Sequence, residues 1–92
     1  MEFQIEPNRI YSCDSMGTLL AEVTFPTLRE GVVTIDHTFV DASLRGQGVA
    51  SKLMRAAMEE ISRRGLLVVP TCSYAVSWLQ KHPEYADILA QE

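Results

Sequence analysis

The stretch Val40–Ala50, with the sequence VDASLRGQGVA, decides the fold because it joins the strongest predicted strand to the strongest predicted helix. Gly46 and Gly48 permit tight backbone conformations there and allow a ligand to approach the main chain closely. Unpaired amides at a helix start donate to anions, and the guanidinium of Arg45 adds positive charge. The pattern predicts a diphosphate site, although glycine-rich turns between strand and helix also occur without a ligand.

Upstream of this stretch, residues 3 to 40 are predicted to form an antiparallel meander, because short runs of β-branched and aromatic residues alternate with turn signals. The predicted strands are Phe3–Glu6, Arg9–Cys13, Thr18–Phe25 and Val32–Val40. Alternation in the last strand places on one face Val33, Ile35, His37 and Phe39. We therefore expect His37 to lie on the apolar face of the sheet.

Downstream, the hydrophobic period changes from two to about 3.6 residues, which predicts an amphipathic helix from Gly48 to Arg64 with Gly65 as its carboxyl-terminal cap. A short apolar run, Leu66–Val69, predicts a strand covered on both faces. A second helix is expected to start at an N-cap, Ser73, to continue to about Lys81 and to stop at His82-Pro83, with a final turn over Tyr85–Leu89. The element order predicts an α+β fold with a central mixed sheet, formed by one domain over residues 1–92.

Length and charge limit the possible functions. The chain has 92 residues and a formal net charge of −4, which is unfavourable for broad nucleic-acid binding because such binding depends on many phosphate contacts. Positive charge is concentrated in residues 45 to 64, which carry five basic and two acidic residues, and this segment suits a small phosphorylated ligand. No apolar run is long enough to cross a membrane.

The amino-terminal residues show no secretory leader, so we expect a cytoplasmic protein in which Cys13 and Cys72 are reduced thiols. No His or Cys cluster has the spacing of a metal site, and no metal is expected. The sequence does not indicate an oligomeric state.

Two familiar nucleotide-binding motifs do not fit the loop. A Rossmann site requires a parallel sheet with an acidic residue after the next strand, whereas an antiparallel meander precedes this loop. A P-loop requires a Gly-Lys-Ser/Thr ending, which is absent here.

The residues Arg45-Gly46-Gln47-Gly48-Val49-Ala50, preceded by a strand ending in Phe39-Val40, resemble the acetyl-CoA signature of the GNAT acyltransferase superfamily. The chain also resembles a very short GNAT subfamily through a set of further residues along the sequence. In this chain they are His37-Thr38, Pro70, Cys72, Tyr74, Trp78 and His82-Pro83-Glu84-Tyr85. The resemblance covers roughly residues 3 to 90.

The resemblance implies that the diphosphate of acetyl-CoA lies on the amides of Gly46, Gln47, Gly48, Val49 and Ala50, with Arg45 beside it. It also implies that the pantetheine arm runs along the strand end formed by Phe39, Val40 and Asp41. Lys52, one turn into the helix, is expected either to reach the remaining phosphate or to be a solvated surface charge, and the same holds for Arg55.

Three residues are candidates for catalysis. His37 is a candidate base, because imidazole has a pKa near neutrality, although a lone histidine on an apolar face is more often a hydrogen-bonded core residue. Cys72 follows the strand Leu66–Val69 and stands at a predicted helix start, where the helix field favours a reactive thiolate. It can accept the acetyl group or supply a proton, and its alternative is a small buried hydrophobic residue. Tyr74 is a second candidate proton donor, or a packing aromatic.

One departure from the family pattern concerns the proton donor. Many GNAT proteins carry a tyrosine seven residues after the start of the second helix, and counting from Cys72 this position is Leu79. The resemblance implies an acetyl-CoA-dependent N-acetyltransferase acting on an amine, which can belong to a protein or peptide, whereas the missing tyrosine favours a module without turnover. A noncatalytic acyl-CoA-binding module, a protein-interaction module and an adaptor without a ligand are the alternatives.

Overall fold

The computed structural model describes residues 1–91 as an α+β fold with seven strands and two α-helices. The strands are β1 (Gln4–Glu6), β2 (Arg9–Cys13), β3 (Leu19–Thr24), β4 (Thr27–Arg29), β5 (Val32–Ile35), β6 (His37–Val40) and β7 (Leu67–Pro70). The helices are α1 (Val49–Arg63) and α2 (Ser73–Gln80), and two 3₁₀ segments span Ala42–Leu44 and Pro83–Ile88.

The predicted strand Val32–Val40 is wrong in one respect, because it is broken at Asp36 into β5 and β6. Pro26 separates β3 from β4 at the same level, because proline has no amide hydrogen to donate to the sheet. The carbonyl of Pro26 accepts a hydrogen bond from the amide of Thr34. The break divides the meander into a four-stranded antiparallel sheet, β1-β2-β3-β6, and a three-stranded sheet, β4-β5-β7.

The three-stranded sheet is mixed: β4 pairs with β5 antiparallel, and β5 pairs with β7 parallel. A parallel pair requires a crossover, and α1 provides it. The predicted α+β class, with an antiparallel meander followed by helix, strand and helix, is confirmed.

The core is one cluster of buried residues from the helix layer, formed by α1 and α2, and from the strands of both sheets. Residues that are fully buried come from both layers and include Ile10, Val23, Phe25, Leu53, Met54 and Ile61. Burying a side chain of this size contributes about 1.5–3 kcal/mol relative to leaving it exposed, so the amphipathic face of α1 holds the sheet to the helix. No helix within residues 1–91 combines the length and the apolar character needed to span a bilayer.

The ends of the helices follow local sequence signals. At the carboxyl end of α1, Gly65 has φ of 71°, its amide donates to Ser62, and the amide of Leu66 donates to Ile61, which together form a Schellman motif. At the start of α2, the N-cap is Cys72 and not the predicted Ser73, because the Cys72 sulfur accepts the amide of Ala75.

Candidate active site

An unpaired strand edge and the starts of both helices meet at one end of the molecule. β5 pairs with β7 only as far as Ile35, and β6 continues as the edge strand of the four-stranded sheet. The amide of Asp41 donates to the carbonyl of Leu20 on β3. The alternation of an antiparallel ladder therefore directs the main-chain groups of Thr38 and Val40 away from β3, toward the open edge of β6.

The loop between β6 and α1 presents a row of unpaired amides. Gly46 has φ of 84° and Gly48 has φ of 74°, in the left-handed region that favours glycine. A Cβ at either position meets nothing within 4 Å, so backbone conformation and not crowding requires glycine, and the space at both residues is open. Within residues 1–91, no acceptor pairs with the amides of Gly46, Gly48, Val49, Ala50 and Ser51.

Polar side chains hold this loop in shape. Asp41 accepts hydrogen bonds from the hydroxyl of Ser43 at 2.5 Å and from its amide at 3.0 Å. These two bonds, with a smaller effect from the positive charge of Arg45, lower the pKa of Asp41 below its ordinary value. The side-chain amide of Gln47 donates to the carbonyl of Ser43 at 3.4 Å, so Asp41 and Gln47 stabilise the loop, while the guanidinium of Arg45 stays exposed.

Two adjoining cavities, of about 300 Å³ and about 250 Å³, lie between β6 and the two helix starts, and we call them together the cleft. Both are lined by Val40, Arg45, Ala50 and Tyr74. Thr38 and Phe39 line the first, and their side chains point to opposite faces of β6. The first cavity therefore lies along the free edge of β6.

Cys72 lies behind Thr38, at the start of α2, and does not itself line either cavity of the cleft. Its amide donates to the carbonyl of Ile35 at 3.1 Å, and its sulfur lies 3.4 Å from the amide nitrogen of Ala75 and 4.0 Å from Oγ1 of Thr38. Because Thr38 lines the cleft, this contact brings the thiol to the cleft wall. Cys72 is partly buried, Cys13 is exposed, and neither forms a disulfide in this structure.

Tyr74 is the proton-bearing side chain that the structure places in the cleft. Its ring lines both cavities, and burial raises the pKa of its hydroxyl. Tyr74 therefore keeps its proton across the neutral range and can donate it. Leu79, which takes the place of the family's usual tyrosine, is buried in the core.

His37 does not lie where the sequence predicted. The break at Asp36 interrupts the alternation, so the His37 side chain is 52% exposed on the face of the sheet opposite α1, and not on an apolar face. Its Nε2 lies 3.2 Å from Oε1 of Glu22 on β3, whereas Cys72 contacts Thr38 on the other face. The structure therefore places Cys72, Tyr74 and the loop close together, and it places the His37 side chain on the opposite face of β6.

Glu22 is the charged neighbour of the cleft that the sequence analysis missed. It pairs in register with Phe39, a cleft residue, and contacts both His37 and Arg9. A register that pairs Thr24 with His37 would have indicated the contact, but the break at Pro26 and Asp36 hides this register in the sequence.

The two basic residues on α1 have different surroundings. Among residues 1–91, Lys52 forms no ion pair, so its charge is available to a ligand near the helix start. Arg55 is held by the tail of the chain: it lies 3.3 Å from the hydroxyl of Tyr85 and 3.6 Å from the carboxylate of Glu84, and it covers the ring of Trp78.

The tail residues form a packed cluster on α1. The ring of Trp78 stacks on His82 at 3.6 Å between centroids, and its indole N–H donates to Ser51 at 2.9 Å. The hydrogen bond between Trp78 and Ser51 fixes the first turn of α1 against α2. The tail therefore supports the wall of the cleft from behind and does not line it.

A further cavity lies apart from the cleft, and residues 1–91 contain no candidate metal site. A cavity of about 560 Å³, lined from residues 1 to 20, shares no residue with the cleft. Within residues 1–91, no three His, Cys, Asp or Glu side chains are grouped so that they could hold a metal ion.

Several known proteins are similar to this chain in sequence or in fold. An NMR structure of a GCN5-like protein from Staphylococcus aureus is 33% identical, and the match covers 99% of this chain and 89% of that chain with a TM-score of 0.80. A GNAT-family N-acetyltransferase from Escherichia coli, solved in complex with CoA, has a TM-score of 0.62 over 75% of this chain and 42% of its own, at 23% identity, which shows a shared fold.

Among curated proteins, NATD1 of Xenopus tropicalis is 29% identical over 75 residues, which are 82% of this chain but only 65% of the frog protein. The family model of the GCN5-related N-acetyltransferases matches residues 10–88, which include β3 through α2, all of β2 except its first residue, and the whole loop between β6 and α1. The chain therefore belongs to the GCN5-related N-acetyltransferase family.

Proposed function

We propose that the protein is an N-acetyltransferase that takes an acetyl group from acetyl-CoA and transfers it to an amine. The observation that carries this proposal is the row of unpaired amides next to the free edge of β6, which are those of Gly46, Gly48, Val49, Ala50 and Ser51. The amide of Gln47, which the resemblance also assigned to the diphosphate, donates instead to the carbonyl of Leu44 at 3.4 Å. Amides at a helix start, together with the guanidinium of Arg45, suit the diphosphate of CoA. The free main-chain groups of Thr38 and Val40 suit the two amides of its pantetheine arm.

Bound acetyl-CoA supplies an acetyl group that is activated as a thioester. Within the cleft, Tyr74 holds a proton for the departing sulfur, because burial keeps its hydroxyl neutral. This side chain supplies the donor that is absent at Leu79. Lys52, whose charge has no partner among the described side chains, is available to a further phosphate.

Cys72 offers a covalent route in addition to direct transfer. Its thiol stands at the start of α2, where the sulfur accepts the amide of Ala75, and it contacts Thr38, which lines the cleft. A thiolate here can take the acetyl group and release CoA, and the resulting thioester then passes the acetyl group to the amine. In the direct route, the amine attacks acetyl-CoA itself and Cys72 stays unmodified.

The acceptor is proposed to be an amine on a protein or peptide. The cleft is open, with Arg45 exposed and Tyr74 39% exposed, so the described residues do not enclose a small molecule. The cytoplasm is the proposed compartment, in keeping with two free thiols.

Calorimetry with CoA and with acetyl-CoA tests the binding site, and release of CoA in the presence of a panel of peptides and polyamines tests turnover. Absence of binding at submillimolar CoA would overturn the proposal. Binding without CoA release from any amine would favour the noncatalytic acyl-CoA-binding module instead.

Intact mass after incubation with acetyl-CoA tests the covalent route, which predicts an adduct of about 42 Da, one acetyl group, on the wild-type protein. The adduct should persist in Cys13→Ala, the matched control, and disappear in Cys72→Ala. An adduct that survives in Cys72→Ala would exclude Cys72 as the acetyl carrier.

A further inference from the structure

Glu22 is the most constrained charged group on the sheet face that lies opposite α1. Its side chain is 16% exposed, and its two carboxylate oxygens contact different partners: Oε1 lies 3.2 Å from Nε2 of His37, and Oε2 lies 2.5 Å from Nε of Arg9. Arg9 in turn lies 3.8 Å above the ring of Tyr11. Arg9, which is itself held against Tyr11, thus fixes the orientation of the Glu22 carboxylate.

The contact with Glu22 also decides which nitrogen of His37 is free. A carboxylate oxygen only accepts hydrogen bonds, so the contact at 3.2 Å is favourable when Nε2 carries the hydrogen. In the neutral ring, Nδ1 then carries the lone pair, and among residues 1–91 it has no partner. The arrangement leaves one basic nitrogen available on a half-exposed ring.

This pair borders the cleft. Glu22 is the cross-strand neighbour of Phe39, and His37 precedes Phe39 by two residues on the same face. Phe39 lines the cleft at the free edge of β6, and its side chain belongs to the same face as His37 and Glu22. An amine that approaches the cleft from the face opposite α1 therefore passes the exposed ring of His37.

We propose that Glu22 is a positioning residue that holds His37 as its Nε2–H tautomer, so that Nδ1 takes the proton of the acceptor ammonium. In this step an N–H bond of the ammonium breaks and an Nδ1–H bond forms, which frees the nitrogen lone pair. That lone pair forms the C–N bond with the acetyl carbonyl, the C–S bond breaks, and the sulfur leaves with the proton of Tyr74. The second proton, which the new amide nitrogen releases, passes through water to the Tyr74 oxygen and restores its hydroxyl. The inference rests on the proposed function and assigns its base.

The tautomer test needs neither CoA nor an acceptor. Two-dimensional ¹H–¹⁵N spectra of the imidazole rings at pH 8.5, where an ordinary histidine is neutral, report which nitrogen carries hydrogen. We expect His37 to be the Nε2–H tautomer in the wild type and in Glu6→Gln, and a mixture in Glu22→Gln. Glu6→Gln is the matched control, because Glu6 also contacts Arg9 but not His37. A mixed tautomer in the wild type, or no change in Glu22→Gln, would overturn the inference.

The kinetic test separates positioning from folding. With an amine that the wild type acetylates, Glu22→Gln should lower kcat about tenfold or more, because a general base contributes 10²–10⁴-fold when it is well placed, and should leave the KM for acetyl-CoA unchanged. The same substitution should have no further effect in a His37→Gln background. Equal kcat in Glu22→Gln and Glu6→Gln would refute the inference while the acetyltransferase proposal stands. Failure of the wild type to bind acetyl-CoA or acetylate any amine would refute both.

Discussion

Replacing Gly48 with alanine tests the amide row directly, and Gly65 supplies a matched control at the other end of the same helix. Both glycines have left-handed backbones, with φ of 74° and 71°, and a Cβ at either position meets nothing within 4 Å. Crowding therefore contributes nothing to the cost. The remaining term is the left-handed conformation itself, about 1–2 kcal/mol for a residue with a side chain, so both variants should lose about that much free energy of unfolding.

The two variants should differ in CoA binding. Gly48→Ala either drives residue 48 out of the conformation that aligns the amides or places a methyl group in the open space at the loop, whereas Gly65→Ala leaves the loop intact. One lost hydrogen bond to a charged group costs about 1.5–3 kcal/mol, which is a rise in Kd of about 10- to 150-fold.

Urea unfolding followed by the fluorescence of Trp78 measures the stability of both variants, and calorimetry measures their affinity for CoA. If Gly48→Ala binds CoA as tightly as Gly65→Ala does, the amides of this loop are not the anchor for the diphosphate, and the reasoning behind the binding site is wrong.

Two further predictions concern single side chains at the cleft. Partial burial raises the pKa of Tyr74 above the value of an unfolded tyrosine, so its contribution to stability is present below pH 10 and is lost as the pH rises through the folded-state pKa. Tyr74→Phe should therefore weaken the decline in stability above pH 10, measured by urea unfolding at pH 8 and pH 11. An unchanged decline would contradict a raised pKa at this hydroxyl. Lys52→Gln should raise the Kd for CoA several-fold, and the effect should shrink at high salt. Lys81→Gln, an equal loss of charge at the end of α2, should leave the Kd unchanged. Equal affinities of the two variants for CoA would show that Lys52 is a solvated surface charge.

Much of the cleft could be predicted from the sequence because its parts are local. The amphipathic period of α1 and the spacing of Gly46 and Gly48 depend only on neighbouring residues, and the structure places both glycines in the left-handed region. The N-cap at the start of α2 was predicted one residue too late, because serine is the commoner capping residue and the sulfur of Cys72 takes that role here.

The position of His37 could not be predicted, because it depends on a register between distant residues. Strict alternation through Val32–Val40 places His37 with Val33, but the break at Asp36 arises from a proline ten residues earlier on the partner strand. A shift of one residue exchanges the faces of every side chain beyond it. The contact between His37 and Glu22 was missed for the same reason.

The free edge of β6 also bears on how the molecule behaves without a ligand. A strand edge with unsatisfied main-chain groups is a template for pairing with another polypeptide, and proteins commonly shield such edges. Here the strand is only four residues long and is bent away from its neighbour at Asp36, which limits intermolecular pairing. A coenzyme arm laid along this edge would act as a surrogate strand, so occupancy of the site should protect the protein from self-association as well as prepare it for catalysis.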